Sequence, residues 1–393
     1  MFPLPLAARL QSELLVIVGL QQESTPDCAI RQCLDKTKGA AMSVRVRLKD
    51  VASAAGVSVA AASLVLNDRP IRMSKGKRKL IIETAKKLKY VPNQNARSLV
   101  TNTSMLLALL VPDIENYFFA SLAKRIEDTC RSYGYSLIVA NADDKEKIEH
   151  ELLIQLDSQD IDGLFLIPSQ ESVKNKAALK AEVTRMSCPV ILTDRLLGID
   201  WCDSVGSNNY SGGRQAAEIL LRHGHTRIAC ISGDRESDTS EARKAGFLDG
   251  LSEAGFPINP ELDVNGDYRF GSGYEAADSL IDKGATGVFC CNDLMALGFI
   301  NRLNERGMRI PDDCSLIGYD NTLNHLGVGQ NLTTFDQGIA EMAKTCSSQM
   351  MRRISELQKD ARNKTWLESP VTHVLEPTVV HRGSVRNFSS TTN

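Results

Sequence analysis

The spacing of apolar positions changes character once along the chain. Between residues 48 and 88 they recur at helical intervals in short stretches. "LKDVASA" predicts a first helix over about Leu48–Ala54, and "AGVS" a turn in which Gly56 is free to take a positive φ. Ser58 is a suitable N-cap for a second helix, Val59–Leu66. A third helix is expected around Lys77–Leu88, with Ile81, Ile82, Ala85 and Leu88 on one face. From Ser104 onward the pattern is different. Continuous apolar runs of strand length ("MLLALLVP", "SLIVAN", "GLFLIP", "PVILTD", "RIACISG", "GVFCCN", "CSLIGYD") alternate with amphipathic stretches. Those stretches cover 118–133, 145–157, 212–223, 242–254 and 294–306. Buried runs alternating with helices predict parallel sheets covered on both faces. The number of units and the length of the chain point to an α/β core of two doubly wound lobes behind an all-α helical module. Ligands of such sheets sit at the carboxyl ends of their strands.

Residues 1–42 show no sustained periodicity, and Met42 directly precedes the first helix, so natural translation is expected to start at Met42. No run approaches the roughly 18 apolar residues that a membrane span needs. Glu13 sits against the short run 14–20 and no small-residue cleavage site follows, so no export signal is expected. The ten cysteines include no CxxC pair and the six histidines show no metal-ligand spacing, which argues for buried thiols in a reducing cytoplasm and for no metal site.

Charge changes the picture more than composition does. Residues 43–104 carry thirteen cationic side chains against Asp50, Asp68 and Glu83, a net +10 that leaves −12 on the rest of a chain whose total is −2. A basic block on an acidic body predicts a polyanion at one end. Three short helices carrying that charge describe a helix-turn-helix, whose second helix enters the DNA major groove.

"LKDVASAAGVS", "SLVLN" and "YVPNQNARSL" closely resemble the start of the LacI/GalR bacterial repressors. "GHTRI", "CNDLMALG", "IPDDCSLIGYD" and "LTTFDQ" extend the resemblance to about residue 383. It implies a homodimer that binds a near-palindromic double-stranded operator and changes its affinity when a small molecule binds the core. It also implies DNA contacts from Leu48, Ser58, Val59, Ala60, Ala61, Ser63, Leu64, Asn67 and Tyr90 of the module. From the hinge "PNQNARSL" it adds Asn93, Asn95, Ala96, Arg97 and Leu99. Val59, Ala60 and Leu64 stand where relatives often read bases with hydrogen-bonding side chains. Apolar groups there reach only thymine methyls or exclude bulk, so Ser58 and Ser63 are the expected polar contacts of this helix. Ala62 stands where relatives face the module's own core. More of the specificity is then expected from the hinge, where the residue matching Leu99 wedges open the central base step at an unstacking cost of a few kcal/mol. Its alternative is packing against the core.

The strand-end segments offer Asn116, Phe118, Phe119, Asp194, Arg195, Arg243, Asn292, Asp293, Asp320 and Gln337 to a cleft. Flat rings, carboxylates, guanidinium groups and amides suit a polyhydroxylated ring. The same constellation resembles that of periplasmic pentose-binding proteins. A monosaccharide is therefore the leading effector. Arg214 and Phe247 join this set, and "GDYRFGSG" is expected to place Tyr268 or Phe270 near the ligand. Each residue also has a plainer reading: Phe118 or Phe119 as core, Asp194–Arg195 as a structural ion pair, Arg214 as surface. Arg195, Arg214 and Arg243 together would equally suit a sugar phosphate, and a nucleoside or purine stays open.

GxSxG, P-loop, HExxH and a GxGxxG at a strand-to-helix turn are all absent, so no catalytic residue and no cofactor are expected. A sugar-binding protein without DNA activity would lack the basic module. The expected organisation is a leading extension over 1–42, the helix-turn-helix over 43–91, a hinge over 92–103, the core over 104–383 and a flexible tail over 384–393. The core is expected to divide into an N-lobe of about 104–203 with 334–362 and a C-lobe of about 204–333 with 363–383. The tail lacks apolar heptads, which favours a dimer over a coiled-coil tetramer.

Overall fold

A computed structural model describes residues 46–91, 103–233, 238–328, 331–359 and 368–388. The expected extension 1–42 lies outside the described residues, as do Asn93, Asn95, Ala96, Arg97 and Leu99. The chain forms two compact units, Met1–Asn93 and Gln94–Asn393.

In the first unit α1 (Leu48–Ala54) and α2 (Val59–Leu66) are joined through Gly56 at φ 61°, and α3 (Lys75–Lys87) follows. Ser58 Oγ accepts from the Ala61 backbone N–H at 3.1 Å, and Ser74 caps α3 in the same way from Lys77. That second cap starts α3 two residues earlier than its apolar spacing suggests. Ala52, Ala55, Ala62, Val65 and Ile81 form the small core, with Leu48 packed against its edge. Ile82, expected inside, is 37% exposed, because a core this small has room for Ile81 and Ala85 but no third position of α3.

The second unit has two lobes. In the first, β1 (Leu106–Val111), β2 (Ser136–Asn141), β3 (Gly163–Leu166), β4 (Val190–Asp194), β5 (Asp203–Ser207) and β11 (Thr372–Leu375) form a parallel sheet ordered β11-β5-β4-β3-β1-β2. Alternate residues of β1 feed opposite faces. Leu107, Leu109 and Val111 join α4 (Tyr117–Ser132) and α12 (Ile339–Lys359). Ala108 and Leu110 join α5 (Glu146–Asp157) and α7 (Lys176–Arg185), beside the short α6 (Gln170–Lys174). Burial on both faces is why the run reads as continuously apolar.

The second lobe carries a parallel sheet ordered β7-β6-β8-β9, from β6 (Ile228–Ser232), β7 (Asp263–Asn265), β8 (Gly287–Cys290) and β9 (Ser315–Ile317). Around it lie α8 (Asn209–Arg222), α9 (Asp238–Glu253), α10 (Phe270–Asp282) and α11 (Asp293–Glu305). Phe247, Phe289, Phe299, Tyr319 and Phe335 fill its core. β10 (Thr334–Asp336) pairs antiparallel with β12 (Thr378–Val380). The chain passes between lobes after β5, after β10 and after β11.

The lobe boundaries differ from the expected ones. The divide at 203/204 would cut β5, whose residues pair with β4 and β11 inside the first sheet, and β11 belongs to that sheet as well. "DSVGS" is too polar to read as a buried strand. It is buried because Asp203 accepts from Arg353 Nε and Nη2 at 2.7 Å each, from Gln349 Nε2 at 2.8 Å and from the Val371 N–H at 2.7 Å. Those partners come from far along the chain, and they satisfy a charge that burial would otherwise heavily penalise.

Candidate functional site

Both sheets change strand direction of winding at one point, between β1 and β3 in the first lobe and between β6 and β8 in the second. Loops leaving adjacent strands diverge there and open a crevice. A cavity of about 390 Å³ occupies it, reached by the loops after β1, β2, β3 and β4, by Thr239 and Arg243 of α9, by Asp320 after β9, and by the segments leading into α10 and α12. Among the expected residues Asn116, Phe118, Phe119, Asp194, Arg195, Arg243, Tyr268, Asp320 and Gln337 line it, with Phe270.

Arg243 is the best-anchored of these. It is 3% exposed, donates from Nε to Asn209 Oδ1 and from Nη1 to the Cys291 carbonyl, each at 2.6 Å, and lies 3.9 Å over the Tyr319 ring. Burial opposes its charge, but Tyr268, Tyr319, Asp320 and Asp194 around it more than offset that and hold it protonated. Asp320 stands 3.7 Å from Nη1 and accepts from Gln337 Nε2 at 2.7 Å. Burial raises the Asp320 carboxyl well above the usual range, against the pull of Arg243.

Across the cavity Arg195 donates to the Pro168 carbonyl and faces Asp144 at 3.5 Å. The Pro168–Gln170 turn is held from beneath by Glu149, a buried carboxylate on α5 that accepts from the Ser169 N–H at 2.5 Å. Asp194 is 4% exposed, and burial raises its carboxyl despite Arg243 and Arg195 nearby. Asp194 Oδ1, Thr239 Oγ1 and Gln337 Oε1 are buried with no partner among the described residues. Unmatched buried polar atoms are costly in a folded protein, and a cavity is where a ligand would complete them.

Asp194, Tyr268 and Asp320 adopt φ values of 68°, 64° and 109°. A non-glycine residue in this region costs on the order of 1–3 kcal/mol and persists only where its surroundings enforce it. For Tyr268 those surroundings are visible. Asn292 Nδ2 donates to its carbonyl at 2.8 Å, and the ring lies so close over Gly233 that a Cβ there would collide with it.

Four expected residues are not in the lining. Arg214 points outward on α8 and pairs with Glu253 and Glu218. Phe247 is core, its ring 4.9 Å from that of Phe289. Asn292 caps α11, accepting from the Met295 N–H at 2.9 Å, and reaches the site only through Tyr268. Asp293 accepts from Thr334 Oγ1 at 2.6 Å and the Thr322 N–H at 2.9 Å, and burial pushes its carboxyl up to about 6. It staples β8 to the crossing segments. Strand-end position alone does not say which way a side chain faces. The cavity also takes in Asp113, Asp144, Gln170, Thr239 and Arg269. Asp113 and Gln170 follow β1 and β3 closely and were open to the same strand-end argument; Arg269 is fixed by a tertiary ion pair with Asp113.

On the helical unit, α2 presents an outer face in which Val59 is 48% exposed and Ala60 exposed, with Ala61, Ser63 and Leu64 half-buried. Asn67 Nδ2 donates to the Ser63 carbonyl at 2.9 Å and to its Oγ at 3.3 Å. Ser58 and Ser63 thus spend acceptor capacity within the module and keep their hydroxyl protons for other partners. Leu48 mainly packs, and Tyr90 is half-buried.

Residues 47–93 match the family described as bacterial regulatory proteins, lacI family, and residues 217–385 match a periplasmic binding protein-like domain. The HTH-type transcriptional repressor PurR of Histophilus somni (strain 129Pt) is 35% identical over 316 residues, 80% of this chain and 93% of that protein. A LacI-family regulator from Enterococcus faecium with bound ribose is 29% identical, with a TM-score of 0.63 over 72% of this chain and all of that one. A lac repressor dimer bound to operator and an anti-inducer shares the fold, with 24% identity and a TM-score of 0.74 over 87% of this chain and 99% of that one. A helix-turn-helix unit, a two-lobed parallel-sheet core and relatives that are regulators rather than enzymes converge: the chain belongs to the lacI family of DNA-binding transcriptional repressors.

Proposed function

We propose that the effector controlling this repressor is a neutral, single-ring sugar bound in the 390 Å³ cavity. The observation that carries this is the pairing of charges. Arg195, Arg243 and Arg269 each face a carboxylate, Asp144, Asp320 and Asp113 respectively, which leaves Asp194, Glu115 and Asp267 without a matching guanidinium among the described residues of the lining. A phosphate or other anion would meet an excess of negative charge. Arg214, the third cation that made a sugar phosphate attractive, is engaged elsewhere. Asp194 Oδ1 and Gln337 Oε1 can accept from ring hydroxyls, Thr239 can serve in either sense, and the Phe118 and Phe119 end of the cavity suits a ring's C–H face.

The repressor acts as a cytoplasmic homodimer on a near-palindromic operator. The site residues are Asn116, Phe118, Phe119, Asp194, Arg195, Arg243, Tyr268, Asp320 and Gln337. Ligand biases the angle between lobes and so the operator-competent state, a coupling of about 1–3 kcal/mol per site. A purine is the second reading, favoured by the likeness to PurR repressors. Isothermal calorimetry of the full chain against D-ribose, D-glucose, ribose 5-phosphate, hypoxanthine and guanine tests the choice. Binding of a neutral sugar that is lost in Asp194→Asn supports the sugar reading. Binding of a purine alone, or of the phosphate in preference, overturns it.

A further inference from the structure

Among the described residues, one ion pair between side chains of the cavity lining joins the two lobes at its mouth. Asp113, in the loop after β1, faces Arg269, in the segment before α10, with Oδ2 2.9 Å from Nη2. An exposed ion pair alone contributes little, because two flexible side chains must be immobilised. This one is prepared at both ends. Asp113 is 23% exposed, and its Oδ1 accepts from the Glu115 N–H at 3.0 Å, which leaves Oδ2 aimed outward. The Arg269 N–H donates to Asp267 Oδ1 at 2.9 Å, and the Arg269 carbonyl accepts from Ser272 Oγ at 3.1 Å.

Each partner also adjoins cavity residues on its own lobe. Arg269 lies between Tyr268 and Phe270, and Tyr268 is held in its strained conformation by Asn292. Asp113 precedes Asn116, which caps the helix bearing Phe118 and Phe119. Parting the lobes at this point therefore breaks the pair and draws aromatic walls away on both sides.

We propose that Asp113 and Arg269 form the gate of the effector cavity, retaining a single-ring ligand and excluding a longer saccharide, whose glycosidic extension would have to pass between them. The size selection rests on the sugar reading above; the gate itself does not.

Two arms keep these apart. In the ligand-free full chain, hydrogen exchange of residues 266–271 is compared between wild type, Asp113→Asn, Arg269→Gln and the swap Asp113→Arg with Arg269→Asp. Faster exchange in Asp113→Asn, a change on the opposite lobe, with recovery in the swap, is expected; unchanged exchange in Asp113→Asn overturns the gate. In the second arm D-ribose and cellobiose are the probes. Wild type is expected to bind D-ribose and not cellobiose, with each single variant releasing D-ribose roughly threefold faster and the swap restoring retention. Cellobiose binding to wild type as tightly as D-ribose, or release unchanged in both single variants, overturns the selection. Binding of neither sugar refutes the sugar reading while the exchange arm still decides the gate.

Discussion

Arg243→Met is the most informative single perturbation, because one guanidinium holds together several parts of the second lobe. The methionine keeps most of the buried stem and removes the charge. It forfeits two charge-assisted hydrogen bonds, to Asn209 and the Cys291 carbonyl, each worth about 1.5–3 kcal/mol. It also forfeits the stack on Tyr319, about 2 kcal/mol for a desolvated cation. These losses share one group and do not add, so a destabilisation of about 3–5 kcal/mol is expected, the range for breaking a buried pair. The sign with pH follows from Asp320. Its carboxyl is already raised by burial, and Arg243 is the main group drawing it down. Without Arg243 it rises further. A raised carboxyl favours the fold at low pH and loses that contribution as pH climbs through its folded value. The variant should therefore be more destabilised near pH 8 than near pH 5. Urea unfolding of the core, followed by circular dichroism at both pH values, measures this. A loss below about 1 kcal/mol at both, or a larger loss near pH 5, would refute the reasoning.

Other consequences are as direct. Arg353→Met strands the Asp203 carboxylate inside the first lobe and should cost about 3–5 kcal/mol, whereas combining it with Asp203→Leu should recover much of the loss in thermal melts. If the single and double variants melt together, the ion pair is not what secures β5. Asp293 titrates near 6 in the fold against about 3.8 unfolded, so its burial withdraws stability as pH rises across that interval, about 3 kcal/mol in all. Asp293→Asn should flatten the change in urea midpoint between about pH 4.5 and pH 7, and leave ligand affinity nearly intact because the side chain is outside the cavity; a variant as pH-sensitive as wild type would contradict this assignment.

Much of the architecture was legible in the order of residues. Caps and apolar spacing set α1 and α2, since Ser58 satisfies a helix end locally whatever surrounds it. Continuous apolar runs marked β1 and β3, because burial on both faces leaves no polar alternation to misread. The charge of the helical module and the motif residues led to the family. Asp194, Arg195, Arg243 and Asp320 could be nominated as strand-end groups.

Direction and partnership were decided only in three dimensions. Arg243 and Arg214 are both arginines on helices of the second lobe, yet α8 turns one outward to Glu253 while α9 buries the other on Tyr319. Nothing local distinguishes them, because both outcomes suit the same side chain. Asn292 and Asp293 stand at a strand end as cavity residues do, but a capping bond and two tertiary hydrogen bonds commit them to the scaffold. β5 is a strand only because α12 and the segment before β11 bring donors to Asp203. Local propensity and periodicity act over a few residues, and the sequence by itself determined what those forces control. The effector cavity's charge balance depends on which carboxylate each guanidinium meets across some fifty to one hundred and fifty residues, as Arg195 meets Asp144 and Arg269 meets Asp113, and only the tertiary fold decides that.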